Sequence, residues 1–245
     1  MSRPRLRVRL ISWDEIVYWV RELASKIRSS GWKPSTIVAI ARGGFVPARL
    51  LCDFLGVGEL LSIQVVHWVE ADRRGDPRIV SRYSLRDDMS GKRVLLVDDI
   101  VDTGLSMILA KDFIEREWRP REIRTAAITL VTSIAKIVPD YYVEELKERE
   151  WDWYIYPWKR IEDLTSLLIR IFREDPRARS REISVEELYD IFMEWYGLHP
   201  ASLGIFWSEA FERLKRLGIV QMSSDNSVRI ADRLTEVSPL VSSRG

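Results

Sequence analysis

Cysteine is almost absent from this chain: Cys52 stands alone among 245 residues. A disulfide framework is thereby excluded. Histidine is nearly as scarce, with His67 and His199 the only two, so no metal cluster of histidine and cysteine can be assembled. His67 sits in an apolar stretch and His199 precedes Pro200, placements that suit core and cap roles. No apolar run reaches the roughly 18 residues of a membrane-spanning helix. The arginine-rich start MSRPRLRVRLISWDE also lacks the apolar core of a signal peptide. A soluble, cytoplasmic protein is expected. Side-chain amides are rare too: Asn226, Gln64 and Gln221 are all there are, and arginine far outnumbers lysine. Depletion of thermolabile amides fits a hot-living source. An excess of one charge is missing as well: 38 basic against 37 acidic residues leave +1, which argues against a polyanion as main partner. What is abundant is apolar material, 46% of the chain including ten tryptophans, enough for one α/β domain and a smaller appendage.

The segment Ser12 to Glu15 (SWDE) has capping-box spacing and opens a helix to about Arg28, with Ile16, Val20, Leu23 and Ile27 on one face. Thr36 to Ala41 (TIVAIA) reads as a strand running into the turn Arg42-Gly43-Gly44, and FVPARLLCDFLG as a helix ending near Gly56. A strand at 60–68 precedes a polar stretch, 69–90, too long for an ordinary connection and read as a functional loop, with a small hairpin around IVSRYSL. KRVLLVDD is apolar through its middle, as a central parallel strand should be. LSMILAKDFIERE gives the next helix, EIRTAAITLVT the next strand, and DWYIYPW a short strand. The alternation implies an α/β fold, a doubly wound and mainly parallel sheet over residues 1–160, with ligands at the carboxyl ends of the strands. Residues 161–245 read as a separate helical module.

The chemistry is concentrated in VLLVDDIVDTGLSM, residues 94–107. Adjacent acids at a strand end can hold a hard cation or accept from paired sugar hydroxyls. The following Asp-Thr-Gly-Leu-Ser turns into a helix. Gly104 allows close approach, and the amides of Gly104 to Ser106 with the Thr103 and Ser106 hydroxyls make a cradle for a phosphate monoester. Acids for a diol or metal, then amides for a phosphate, match the two ends of a ribose 5-phosphate.

This stretch closely resembles the phosphoribosyl diphosphate (PRPP) motif of type I phosphoribosyltransferases. AIARGGFVPARLL looks like that family's pyrophosphate loop, and VPDYYV, residues 138–143, like the base-binding segment of its archaeal purine members. The resemblance implies that Asp98 and Asp99 bind the ribose hydroxyls and support Mg²⁺, largely through water or hydroxyl bridges. It implies that Asp102 faces the purine imidazole edge as catalytic base or acid. Asp102, Thr103, Gly104, Leu105 and Ser106 would hold the 5-phosphate, and Ala41, Arg42 and Gly43 the pyrophosphate, with a cis peptide before Arg42. Thr132, Tyr142 and Val143 would form the base site, Tyr142 by stacking and Val143 through its backbone. Arg73, Arg74 and Arg78 in the long loop would close over the pyrophosphate and exclude water.

The expected partners are PRPP and a purine base, the cofactor is Mg²⁺, and the assembly a homodimer. Similar 6-oxopurine enzymes carry a lysine seven positions before the proline of this segment, where Thr132 stands here, seven before Pro139. An ammonium penalises a 6-amino group, so threonine favours adenine. Lys136, close by in sequence, keeps the 6-oxopurine alternative open. Two helices and a possible hairpin resemble a winged helix, which raises a rival reading: a PRPP-sensing regulator that binds DNA through residues 180–232. Against it, residues 162–245 hold 14 acids and 11 bases, and RLKR at 213–216 is a short basic face. Helices that cap the site or form a dimer interface through Leu188, Ile191, Phe192, Trp195, Ile205, Phe206 and Phe211 account better for the module. PRPP synthesis shares a similar acidic motif, but nothing in the sequence looks like an ATP site.

Overall fold

The computed structural model describes residues 6–70, 73–80, 89–147, 153–180, 182–223 and 227–231, with backbone alone at 67–70, 73–77 and 180. The chain divides into two compact units, one of residues 12–68 and 74–151, the other of 1–11, 69–73 and 152–245. The division thus falls nearer residue 152 than 160, and the N-terminal strand joins the second unit.

In chain order the elements are β1 (Val8–Leu10), α1 (Trp13–Ser29), β2 (Thr36–Ala41), α2 (Phe45–Leu55), β3 (Glu59–Glu70), β4 (Arg73–Ile79), β5 (Arg93–Val101), α3 (Leu105–Phe113), β6 (Glu122–Val131) and β7 (Glu144–Leu146). They continue with β8 (Trp153–Ile155), α4 (Arg160–Glu174), α5 (Pro176–Ser180), β9 (Ile183–Ser184), α6 (Val185–Tyr196), α7 (Ile205–Arg216), β10 (Val220–Met222) and β11 (Ser227–Ile230).

The first unit is a six-stranded sheet in the order β4-β3-β2-β5-β6-β7. β2 pairs in parallel with β3 and β5, β5 with β6, and β6 with β7. β2 is buried along its whole length and β5 nearly so, which is why both read as unbroken apolar runs. One face of the sheet, with Val38, Ile40, Val94, Leu96, Ala127 and Leu130, packs on Met107, Ala110 and Ile114 of α3 and the turn after it. The alternate residues point the other way, the side on which α1 and α2 lie against β6 and β5. α1 starts as the sequence predicts: the Ser12 hydroxyl accepts from the Glu15 N–H at 3.2 Å, and the Glu15 carboxylate accepts from the Ser12 N–H at 2.9 Å.

The stretch read as one long loop is different in the structure. β3 continues to Glu70 and β4 covers Arg73–Ile79 beside it, so the first half is sheet. The Val80 N–H donates to the Gln64 carbonyl at 3.0 Å, extending that pairing. A polar strand at the sheet edge has no apolar run to betray it. Arg78 is exposed at the end of β4; the side chains of Arg73, Arg74 and His67, and the expected hairpin at 81–85, lie outside the described residues. α3 ends in a π-helical turn, Ile114–Trp118, closed by Arg119 at φ 50°.

In the second unit, β1 pairs in parallel with β8, Val8 opposite Trp153 and Leu10 opposite Ile155. Neither strand joins the large sheet. From α4 onward the topology is helical, closed by a small sheet in the order β10-β11-β9, antiparallel throughout. The two helices and the hairpin expected here are present as α6, α7 and β10–β11, with β9 as a third strand. Leu188, Ile191, Phe192 and Trp195 of α6 and Phe211 of α7 are consumed in the unit's own core, with Phe206 half-buried against it. Ile205 lies outside this core, 69% exposed. His199 acts as a cap, its Nδ1 accepting from the Ala201 N–H at 3.1 Å.

Asp175 is buried between α4 and α5 and is answered on every side. It accepts from the Trp195 indole at 2.9 Å, the Arg177 N–H at 2.9 Å, and Arg177 Nε and Nη2 at 3.1 and 2.9 Å. Hydrogen bonds from Arg177 hold its carboxyl down at about 2. A depressed carboxyl stabilises the fold above its unfolded pKa and loses that contribution as pH falls through the folded value. The second unit is therefore expected to lose about 2 kcal/mol between pH near 4 and pH near 2 from this group alone. Thermal unfolding across that window should show the loss in the wild type, and a flatter profile with lower stability at neutral pH in Asp175→Asn.

Candidate active site

The pairing of β2 with β5 ends at Ala39 opposite Val97, although β5 itself runs on to Val101 beside β6. Chain order also reverses here: β3 and β4 lie on one side of β2, β6 and β7 on the far side of β5. Such a switch point opens a crevice at the carboxyl ends of parallel strands. Asp98 and Asp99 are the first residues of β5 past the parting, so the acids lie inside the strand and not beyond it. Both are buried.

The local backbone answers their oxygens. The Asp99 N–H donates to Asp98 Oδ1 at 2.9 Å and the Ile100 N–H to Asp99 Oδ1 at 2.9 Å. Burial, followed by the charge of Asp99, pushes the Asp98 carboxyl well above its usual range, with Asp102 adding a smaller push. At Asp102 the Thr103 N–H donates to Oδ1 at 2.6 Å. Gly104 follows at φ 77° and caps α3, so the amides of Leu105 and Ser106 open the helix above the acids.

The second loop comes from β2. The Ala41–Arg42 peptide is cis, as the resemblance implied. The chain then turns tightly, with the Gly44 N–H donating to the Ile40 carbonyl at 2.9 Å. The two glycines are required by close approach. A Cβ on Gly43 would lie 2.5 Å from Asp99 Oδ1, and one on Gly44 would meet the Val97 carbonyl and lie 2.7 Å from the Ile40 carbonyl. The Arg42 loop is thus pressed against Asp99, which brings the expected pyrophosphate and ribose groups together. Arg42 is exposed at the rim.

The expected base residues fare unevenly. The Thr132 N–H and hydroxyl both donate to the Leu146 carbonyl, at 3.1 and 3.3 Å, tying Thr132 into the β6–β7 edge. Tyr142 packs half-buried against the apolar cluster under α3, while Lys26 Nζ donates to its carbonyl at 2.7 Å and lies 5.6 Å from its ring centre. The Val143 N–H is committed to the Ile128 carbonyl at 3.1 Å, which leaves its carbonyl as the group it could offer. Lys136, by contrast, comes to the loop: its N–H donates to the Thr103 carbonyl at 3.0 Å and its side chain is exposed. Ile137 beside it fills the space over Gly104, its Cγ2 lying 2.5 Å from where a Cβ would be. Gly104 is thus required twice, by its left-handed backbone and by the isoleucine above it.

Residues 11–160 match the phosphoribosyl transferase domain family. The chain belongs to the phosphoribosyltransferase family. Among relatives, the xanthine-guanine phosphoribosyltransferase of Gluconobacter oxydans is 28% identical over 149 residues, covering 60% of this chain and 82% of the relative. Among solved structures, a purine phosphoribosyltransferase from Pyrococcus horikoshii is 31% identical with a TM-score of 0.52, over 61% of this chain and 93% of that one. The xanthine-guanine-hypoxanthine enzyme of Helicobacter pylori shares the fold at 20% identity, with a TM-score of 0.54 over 62% of this chain and 94% of that one. The matched stretch of this phosphoribosyltransferase family member holds both loops described above and stops where α4 begins.

Two substitutions separate the roles. Gly44→Ala would drive a methyl into backbone carbonyls that cannot rotate away, and is expected to destabilise the fold by about 1–3 kcal/mol, the range for overpacking. Asp98→Asn keeps an acceptor for the Asp99 N–H but removes a charge that burial and Asp99 oppose. A raised carboxyl penalises the fold above its unfolded pKa and is relieved as pH falls through the folded value. The asparagine variant should therefore melt higher than the wild type at pH 8, the gain shrinking in acid, while PRPP binding is lost. Scanning calorimetry and a PRPP titration on the same samples check both halves.

Proposed function

We propose that this protein transfers the ribose 5-phosphate of PRPP to a 6-oxopurine, meaning hypoxanthine, guanine or xanthine, and releases pyrophosphate. The observation that carries the base assignment is Lys136, an exposed lysine whose own N–H is bonded to the Thr103 carbonyl of the expected phosphate turn. An ammonium donates to a 6-oxo group and finds no acceptor on a 6-amino group. Adenine was favoured because Thr132 stands where lysine is found in similar enzymes, but the Thr132 hydroxyl is spent on Leu146. The name of the Gluconobacter relative, a xanthine-guanine enzyme, supports the same reading.

In this reading a purine ring nitrogen forms a bond to C1 of the ribose as the C1–O bond to pyrophosphate breaks, the electron pair leaving with pyrophosphate. The proton released by the purine passes to Asp102. Positive charge grows on the ribose in the transition state, and the buried Asp98–Asp99 pair sits where it would be stabilised. Arg42 would receive the charge developing on pyrophosphate. Mg²⁺ would fit the same pair, because burial and the charge of Asp99 push the Asp98 carboxyl up and a cation held there would offset both. When bound it would supply charge neutralisation on the pyrophosphate.

A product assay with PRPP, Mg²⁺ and each of the four purines tests the proposal: nucleotide should form from guanine, hypoxanthine or xanthine, and turnover of adenine alone would sink it. Lys136→Met should cut kcat/KM for the oxopurines by about 10²-fold or more, the scale for an unmatched donor or acceptor. Its KM for PRPP should move far less.

A further inference from the structure

We propose that Ile137 is a positioning residue that makes recognition of the purine depend on occupancy of the 5-phosphate turn. The proposal rests on the reading above that Lys136 addresses the base, and it adds how that lysine is held. Three contacts join the loop after β6 to the turn after β5. The Lys136 N–H donates to the Thr103 carbonyl at 3.0 Å. The Ile137 Cγ2 occupies the space that a side chain on Gly104 would need, 2.5 Å from the position of its Cβ, and the Ile137 nitrogen is 3.4 Å from the same point. Ile137 and Ala135 then pack on the cluster that holds Val101 and Met107, the residues flanking the phosphate turn on β5 and α3.

On the other side the lysine loop is tethered to β6 by a short turn, the Ala135 N–H donating to the Val131 carbonyl at 3.1 Å. Lys136 therefore has a fixed root at β6 and a second support at Thr103 and Gly104. That second support is the segment whose amides would close on a phosphate. A phosphate that orders Thr103 to Ser106 also orders the carbonyl to which Lys136 is bonded and the glycine on which Ile137 rests. Ligand energy spent at the turn is thus returned as a fixed lysine, and the two sites are coupled. The isoleucine is the part of this connection that can be changed without touching a ligand-binding group, since the hydrogen bond to Thr103 is made by backbone.

The test is calorimetric titration of guanine and of adenine into the full chain, with and without saturating ribose 5-phosphate and Mg²⁺. In the wild type, ribose 5-phosphate should tighten purine binding by about fivefold or more, the lower end of usual site-to-site coupling. In Ile137→Ala the tightening should vanish while the affinity for ribose 5-phosphate itself stays within about twofold, and Ile137→Val should restore most of it. In turnover the alanine variant should raise KM for the purine with KM for PRPP unchanged. Melting curves establish that each variant is folded. Undiminished coupling in a folded Ile137→Ala, or equal losses of ribose 5-phosphate and purine affinity, would overturn the proposal. If the wild type takes adenine in place of guanine, the base assignment fails but the coupling is read with adenine. A wild type that binds ribose 5-phosphate with no effect on either purine ends the latch and leaves the transferase reading standing.

Discussion

Asp98 and Asp99 lie side by side inside a strand that is otherwise apolar, at the point where its neighbour β2 turns away. Two like charges in a low-dielectric setting repel each other and lose hydration, and the upward push on Asp98 registers both effects. The backbone offsets part of this through the amides of Asp99 and Ile100. Acids so placed are suited to hydroxyl donors and to a cation, the two kinds of group that the proposed substrate and metal would bring. Two apolar residues there would serve the sheet better, so the acids mark a position where stability yields to chemistry.

The remaining features of the site follow from bringing other groups up to that pair. The loop after β2 can reach Asp99 only as glycine, since any Cβ at Gly43 would strike the carboxylate, and Gly44 must pass between two carbonyls. The turn after β5 can fold back only because Gly104 accepts a left-handed backbone, and the vacancy above it is filled by Ile137. Three glycines thus bring the Arg42 loop, the turn before α3 and the loop after β6 close to two carboxylates, each by omitting a side chain where another group must come close. The sheet provides the rest: parallel strands with a reversal of order leave one crevice, and all four segments reach it from carboxyl ends.

Much of this could be read from local pattern. The strands that hold the site are buried on both faces, so β2 and β5 announce themselves as apolar runs, and the acids with their Thr-Gly-Leu-Ser sequel are adjacent in the chain. Legibility ended where partners are distant in sequence or where a face is polar. β4 was hidden because an edge strand with three arginines, a glycine and a proline looks like a loop. β1 was hidden because three residues carry no period, and its partner lies 145 positions away at the Arg9–Tyr154 hydrogen bond. Counting back from Pro139 singled out Thr132, and the contact of Lys136, four residues on, with Thr103 was not legible because a turn from Val131 to Ala135 intervenes.

The second unit shows the limit of arguing from topology. Helices followed by an antiparallel hairpin form the frame on which many nucleic-acid readers are built, yet a frame carries no activity by itself. Contact with phosphates requires cations on the approaching face. Here α6 exposes Glu186, Asp190 and Glu194, and of the bases nearby Arg177 is engaged by Asp175 and Glu194 while Lys215 is engaged by Glu212. The aromatic side chains of α6 and α7 face inward on one another, Phe192 against Trp207 at 4.9 Å and Trp207 against Phe211 at 5.4 Å. The apolar faces that the sequence offered for a dimer interface or a cap are thus largely spent on the unit's own core. The outward row of α6 is acidic, and an acidic row repels the backbone of DNA whatever the order of the helices and strands around it.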